Sequence, residues 1–331
     1  MRVLKDHWYP VLESHEVGDK PRGVERFGQR LVFWRSTDHN PHAHIDRCPH
    51  LGARISQGKI CSDRIVCPFH GFEFNTHGEC LHIPANGKTG KIPKGMELQS
   101  FKLEEQHGFI WLWWGASRKT YPELPFFSQL EKGWRFGSVV VEWPVHYSRA
   151  IENQLDVAHL PFVHANTIGR GKRTVVEGPH VESNQQGIKV WVTNIRDEAS
   201  IQRNRSELSK AAEGKEPGLR FLFPGVWLLN INPRIKNLLV FVPVNEHKTR
   251  YYLRVYHQIW FPPFSKLFEW VMGISNRFIL QQDKRVVVTQ TPTSSSEASA
   301  DRLIGADIAI SEFRRIHRML LEKNDSSDNT E

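Results

Sequence analysis

The chain has only four cysteines in 331 residues, Cys48, Cys61, Cys67 and Cys80, too few for a disulfide framework. At this length a core can be buried without one, and there is room for one large or two ordinary domains. No run of eighteen apolar residues occurs, which argues against a membrane span, and the opening MRVLKDHWYP lacks the apolar core of a signal peptide. A cytoplasmic protein is therefore expected. Charge of one sign is also scarce: 44 basic against 36 acidic residues leave a net +8, dispersed along the chain, with Arg170, Lys172 and Arg173 the densest group. This is not the footprint of a nucleic-acid binder. It suits a solvated surface, or a docking face that steers an acidic electron-transfer partner. Internal repeats are absent.

What is present is one dense stretch, CPHLGARISQGKICSDRIVCPFH, from Cys48 to His70. A Cys-x-His pair and a Cys-x-x-His pair are separated by sixteen residues. Two thiolates and two imidazoles can converge on zinc or on a 2Fe-2S cluster. A zinc site commonly takes its cysteines from one knuckle and its histidines from another. Here each loop offers one of each, so each loop can reach both irons of a cluster in which one iron takes two Cys (Cys48, Cys67) and the other two His (His50, His70). Each pair also carries a Cys-Pro turn and a following glycine, Gly52 or Gly71. Cys61 and Cys80 are left as incidental thiols.

Residues 1–118 read as a compact all-β unit, with short apolar or alternating runs at Leu31–Trp34, His42–Ile45, Arg64–Val66 and Gly108–Trp114. Between 116 and 135, Pro122, Pro125 and charged residues make a domain crossing. The second unit, 119–322, is predicted to begin with a helix over 145–160. Strands follow at Val175–Glu182, Ile188–Ile195, Leu219–Ile231, Asn237–Val244 and Tyr251–Trp260 as an antiparallel sheet. Residues 198–217 are polar and read as a loop. A long helix from Phe264 to about Thr291 has an apolar face of Leu267, Phe268, Val271, Ile274, Phe278 and Ile279, and a second helix spans Asp301–Leu321. Residues 323–331, KNDSSDNTE, are expected to be a disordered tail.

The middle helix carries ENQLDVAHLPFVH from Glu152. Asn153, Asp156 and His159 are three apart and would share one helical face. His164 lies five residues beyond His159, awkward for an ideal helix, but Pro161 between them would force a kink that swings His164 back. Two histidines so placed are part of a 2-His-1-carboxylate iron site. By itself the spacing is weak, since such a pair is more often plain surface or core. The upstream cluster changes its weight, because oxygen activation needs electrons delivered singly and the cluster is a one-electron store.

These residues resemble the catalytic subunits of Rieske non-haem iron oxygenases. The likeness covers nearly the whole chain: CPHLGA and CPFHGF, then NQLDVAHLPFVH, then LQQDKRVVVTQ and ADIAISEFRR. It implies an α+β architecture, an N-terminal all-β Rieske domain followed by a START-like helix-grip catalytic domain with an antiparallel sheet and a long C-terminal helix. It implies that Cys48 and Cys67 ligate one cluster iron, and His50 and His70 the other. His159, His164 and Asp283 would hold mononuclear Fe(II); without the resemblance Asp283 would pass as an exposed helix acid. Asp156 would bridge electrons from the cluster of a neighbouring subunit in a homotrimer, and Asn153 would orient the site through its amide. Leu51 and Phe72 stand where many relatives have Arg and Trp, a difference in packing and not in ligands.

The implied activity is the terminal component of an oxygenase. It would use O2 and electrons from a ferredoxin or flavin reductase, with NAD(P)H reaching it only through that partner, on a small aromatic or hydrophobic substrate. Hydroxylation, oxidative demethylation and cis-dihydroxylation by a dioxygenase are all open, and the single-chain homotrimeric branch favours the first two. The alternative is a Rieske electron-transfer protein with no oxygen-activating iron; a zinc module is a third reading. Chloroplast members of chlorophyll catabolism carry a C-terminal CxxC and membrane helices, neither of which occurs in this sequence. Respiratory Rieske proteins resemble the loop pair but add a cysteine to each loop and place hydroxyls near the cluster sulfurs. At those positions stand Ala53 and Phe69, and Phe72 and Phe74. Without hydroxyl donors the reduced cluster is less stabilised, so a low-potential donor is expected.

Overall fold

The computed structural model describes residues 1–198 and 205–328. The chain divides at Leu124/Pro125, with Val3–Leu124 in one unit and the chain from Pro125 in the other, so the boundary lies beyond the expected residue 118 but inside the proline-containing crossing.

The first unit is built from ten strands in chain order: β1 (His7–Glu13), β2 (Arg22–Arg26), β3 (Gln29–Arg35), β4 (Pro41–Ile45), β5 (Lys59–Cys61), β6 (Arg64–Val66), β7 (Glu73–Phe74), β8 (Cys80–His82), β9 (Leu103–Gln106) and β10 (Phe109–Trp114). They form three small antiparallel sheets, β1-β10-β9, β2-β3-β4 and β5-β6-β7-β8. The aromatic run FIWLWW is β10, the central strand of its sheet, and it is buried from Phe109 to Trp113. Such a strand has no solvent face, which is why it does not alternate polar with apolar.

The second unit contains β11 (Arg135–Trp143), α1 (Tyr147–Leu155), α2 (Leu160–Val163), β12 (Val175–Ser183), β13 (Gly187–Ile195), α3 (Arg205–Ala212), β14 (Leu219–Leu222), β15 (Val226–Asn232), β16 (Ile235–Asn245), β17 (Lys248–His257), α4 (Pro262–Val287) and α5 (Ile308–Asp328). Its seven strands form one antiparallel sheet in the order β11-β17-β16-β15-β14-β13-β12. Leu238–Val244 of β16 is buried without alternation, so both faces of the sheet centre are covered. The architecture is thus α+β, as expected.

Several local expectations are corrected. The strand expected over Leu219–Ile231 is a hairpin of β14 and β15, because Pro224-Gly225 turns the chain between them. The polar segment 198–217 holds α3 in its described part; residues 199–204 lie outside the described residues. The last helix runs on to Asp328, so 323–328 is helical where disorder was expected. Its preceding turns are anchored by buried Leu320 and Leu321, and Asp325 pairs with Arg2. Residues 329–331 lie outside the described residues.

The largest correction concerns α4. Leu267, Val271, Ile274 and Phe278, read as a core-facing stripe, are exposed, while Ser265, Asn276, Leu280, Asp283 and Val287 are buried. The helix is rotated by what it must place inward: Glu269 meets His257 of β17 at 3.2 Å, and Asp283 meets two histidines.

Candidate metal centres

In the first unit the two ligand loops make the same turn twice. Cys48 N–H donates to Ala53 O (2.8 Å) and Gly52 N–H to Cys48 O (2.9 Å); Cys67 N–H donates to Phe72 O (2.8 Å) and Gly71 N–H to Cys67 O (3.1 Å). Closing each loop requires a left-handed residue at the fifth position, supplied by Gly52 (φ 75°) and Gly71 (φ 72°). Both thiols are buried, and both histidines are exposed with ring centroids 4.7 Å apart. Burial pushes the Cys48 thiol up to about 11, against backbone N–H groups of His50 and Leu51 that favour its thiolate. Phe72 stacks on His50 at 4.9 Å and 7°, and Phe74 is fully buried in the same apolar cluster as the cysteines. Phe72 thus lies against a candidate ligand, and Phe74 in the apolar cluster that holds the two cysteines. All four cysteines are free thiols, with Cys61 exposed and Cys80 buried.

In the second unit α1 ends at Leu155, short of the expected residue 160. Asn153 is helical, but Asp156 is the extended C-cap residue (ψ 128°), so Asn153, Asp156 and His159 do not share a helical face. The cause is the Asp156 carboxylate, whose Oδ1 accepts from Ala158 N–H (2.7 Å) and His159 N–H (3.2 Å), a turn that competes with the helix. Pro161 also acts differently from expectation. It sits in the first turn of α2, where its missing N–H costs no hydrogen bond, and the break lies upstream at 156–158. His159 and His164 flank this one-turn helix as its two caps, with ring centroids 5.2 Å apart.

The break is held in place by contacts from the sheet. Trp227 Nε1 donates to Gln154 O (2.9 Å) and Asn194 Nδ2 to Val157 O (2.9 Å). Behind α1 a buried ion network joins Arg149 to Glu152 (2.9 Å) and Asp301 (3.0 Å), and Arg314 of α5 to Glu152 (2.6 Å) and Asp301 (2.8 Å).

His159, His164 and Asp283 converge: one ligand atom from each lies within 4.8 Å of the others. Asp283 Oδ1 is 2.9 Å from His164 Nε2 and 3.4 Å from His159 Nε2, yet it is buried with no hydrogen bond of acceptable geometry. An orphaned carboxylate oxygen facing two imidazole nitrogens fits a divalent metal better than a hydrogen-bonded cluster. His164 Nδ1 donates to Gln282 Oε1 (2.8 Å), which also accepts from Thr167 Oγ1 (3.0 Å). This leaves Nε2 as the free ligand atom. Burial lowers the basicity of His164, but Asp283 and Gln282 outweigh it and raise its pKa. Asp156 Oδ2 lies 3.6 Å from His159 Nδ1. Burial disfavours its charge, while His159 and the amides of Ala158 and His159 prevail and hold its carboxyl below the ordinary range.

Asn153, Asp156 and His159 open onto a cavity of about 380 Å³ that also meets Arg149 and Arg314, and Asn153 Nδ2 is buried there without a hydrogen-bond partner. A larger cavity of about 760 Å³, bordered by His42, His77 and Tyr121, contains none of the ligand residues. The supporting groups Gln154, Thr167, Asn194, Trp227 and Gln282 carry no spacing signal; of these, only Gln282 adjoins a ligand in sequence.

Residues 7–102 match the Rieske [2Fe-2S] domain. Residues 143–323, more than half of the chain, match the vanillate O-demethylase oxygenase C-terminal domain. The chain belongs to that oxygenase family. Among curated proteins it is 26% identical to protein TIC 55, chloroplastic, of Pisum sativum, over 94% of the chain and 57% of that protein. It is 30% identical to the vanillate O-demethylase oxygenase subunit of a Pseudomonas species, over 58% of the chain and 53% of that subunit. The chain thus spans little more than half the length of these curated relatives, and one of them is a chloroplast protein. In fold it is similar to dicamba monooxygenase bound to dicamba (TM-score 0.78, 20% identity, 98% of the chain and 100% of that structure). NdmA of Pseudomonas putida CBB5 is comparable (TM-score 0.76, 22% identity, 97% and 92%). Among the described residues no helix is long and apolar enough to cross a membrane.

Proposed function

We propose that this oxygenase-family chain is the terminal component that hydroxylates or oxidatively demethylates a small aromatic or hydrophobic substrate. The observation that carries the reading is the convergence of His159, His164 and Asp283 on a chain that also bears the Cys48, His50, Cys67, His70 loop pair. The names of two relatives, a vanillate O-demethylase oxygenase subunit and a putative toluene-4-sulfonate monooxygenase iron-sulfur subunit, support aromatic substrates and monooxygenation over dihydroxylation. When bound, the 2Fe-2S cluster supplies single electrons and the ferrous ion supplies oxygen activation.

The chain's own residues do the rest. Buried Cys48 and Cys67 and exposed His50 and His70 would hold the cluster, which would supply one-electron transfer there. Gln282 keeps the His164 proton on Nδ1. Asp156, its Oδ2 3.6 Å from His159 Nδ1 and facing the 380 Å³ cavity, carries the electron bridge to the cluster of a neighbouring copy in a homotrimer. Asn153 aims its amide into the same cavity. Electrons come from NAD(P)H through a separate ferredoxin or flavin reductase, in the cytoplasm.

The second reading, an electron carrier without oxygen-activating iron, has the exposed His50–His70 edge in its favour. Iron analysis of anaerobically purified protein separates the two. An oxygenase holds about three irons per chain, and Asp283→Ala lowers this to about two while the reduced-cluster EPR signal persists. Iron content unchanged by Asp283→Ala would leave only the carrier.

A further inference from the structure

The outward face of α4 is apolar and exposed over most of its length, the ring of Phe261 beside Phe264 at 5.3 Å extending it at its N-terminal end. Phe264, Leu267, Val271, Ile274 and Phe278 follow one another in alternate steps of three and four residues and are all exposed, Phe264 at 64% and Phe278 at 58%. At 1.5 Å per residue this is a continuous stripe about 21 Å long. Trp270 lies beside it at 65% exposure, and Trp260, 60% exposed, sits just before the helix. Scattered exposed apolar residues are ordinary, but an unbroken helical stripe flanked by tryptophans marks an interaction surface.

Charge decides what covers it. The two acids of α4 both turn inward: Glu269 to His257 and Lys266, and Asp283 to the histidine pair. The exposed charges are Lys266, Arg277 and Arg285, all of one sign. Two copies packed face to face would oppose helices whose exposed charges are all basic, with no exposed acid on either to pair them. An anionic occupant is required. The apolar stripe, the interfacial tryptophans and the basic flank are the composition of a helix that lies in a lipid surface, while its charges keep it from spanning one.

We propose that α4 docks this chain on an anionic membrane surface, its Phe264–Phe278 stripe inserted among the acyl chains and Lys266 and Arg277 at the headgroups. The proposal is independent of the oxygenase reading.

The test is flotation of the full-length holoprotein with phosphatidylcholine vesicles, pure or containing phosphatidylglycerol, alongside gel filtration. Wild type is expected to float with the anionic vesicles at least about tenfold more than with the neutral ones. Lys266→Glu with Arg277→Glu abolishes that preference, and Leu267→Gln with Ile274→Gln and Phe278→Gln abolishes flotation altogether. Should either multiple variant fail to fold, Arg277→Glu alone, at an exposed residue of α4, carries the test, with a clear loss of the anionic preference expected. Wild type that stays unbound with both vesicles overturns the proposal, as does charge-reversed protein that floats like wild type. A triple variant that breaks up an oligomer, while wild type ignores vesicles, assigns the stripe to a second copy of the chain and overturns it too.

Discussion

His164 is constrained at both ring nitrogens, by Gln282 Oε1 at Nδ1 and by Asp283 Oδ1 opposite Nε2. Gln282→Leu removes the acceptor that fixes the tautomer and is expected to lower Fe(II) affinity of the mononuclear site by about 10–100-fold. Gln282→Glu, which keeps an acceptor, is expected to retain most of it. Titration of the metal-depleted site with Co(II), followed by its visible absorption, reads this without turnover. At the other centre, Phe72→Ser places a hydroxyl where the ring stacks on His50 and is expected to raise the cluster midpoint in an EPR-monitored redox titration. Phe74→Tyr keeps its ring and is expected to shift the potential the same way. Midpoints at or below wild type in both variants would remove the low-potential argument.

At the scale of elements, α1 is shaped by what lies behind and beyond it. The Arg149–Glu152–Arg314–Asp301 network ties α1 to α5, and the Glu152 and Arg149 side chains are each only 4% exposed. Arg314→Met takes from the buried Glu152 carboxylate one of its two guanidinium partners, Arg149 remaining. A loss below about 3–5 kcal/mol, the cost of a fully broken buried pair, is expected in denaturant unfolding. Removing both partners, Glu152→Gln with Arg314→Met, is expected to cost less than the sum of the single changes, since the second change relieves the buried charge left by the first. Strictly additive losses would mean that the pair is not coupled.

For the whole molecule, the decisive prediction concerns electron flow between copies. A Cys48→Ser chain lacks a complete cluster site and an Asp283→Ala chain lacks a complete iron site, so each homo-oligomer is expected to be inactive. If Asp156 bridges neighbouring copies of a homotrimer, oligomers reassembled from a mixture are expected to regain a fraction of wild-type turnover with a surrogate reductase. Mixed oligomers with no turnover, from chains confirmed to exchange, would confine transfer to a single chain.

The sequence by itself determined the order of Cys and His in the two loops, the twin Cys-Pro…Gly turns, the missing hydroxyls at Phe72 and Phe74 and the two-part α+β layout. All of these are local: a five-residue turn closes on its own hydrogen bonds, and a glycine at positive φ is needed wherever the loop is made. Only the tertiary structure decided that α1 stops at Leu155, that Pro161 starts a helix instead of kinking one, and that α4 turns its apolar stripe outward. The spacing of His159 and His164 is compatible with several backbones, and the sheet, through Trp227 to Gln154 O and Asn194 to Val157 O, holds the one in which Asp156 captures two amides. The apolar pattern of α4 pointed the wrong way because a partner for two histidines more than a hundred residues upstream had to be buried. Periodicity records which residues avoid water; it does not record which carboxylate must meet which imidazole, and that contact is made only when the elements pack.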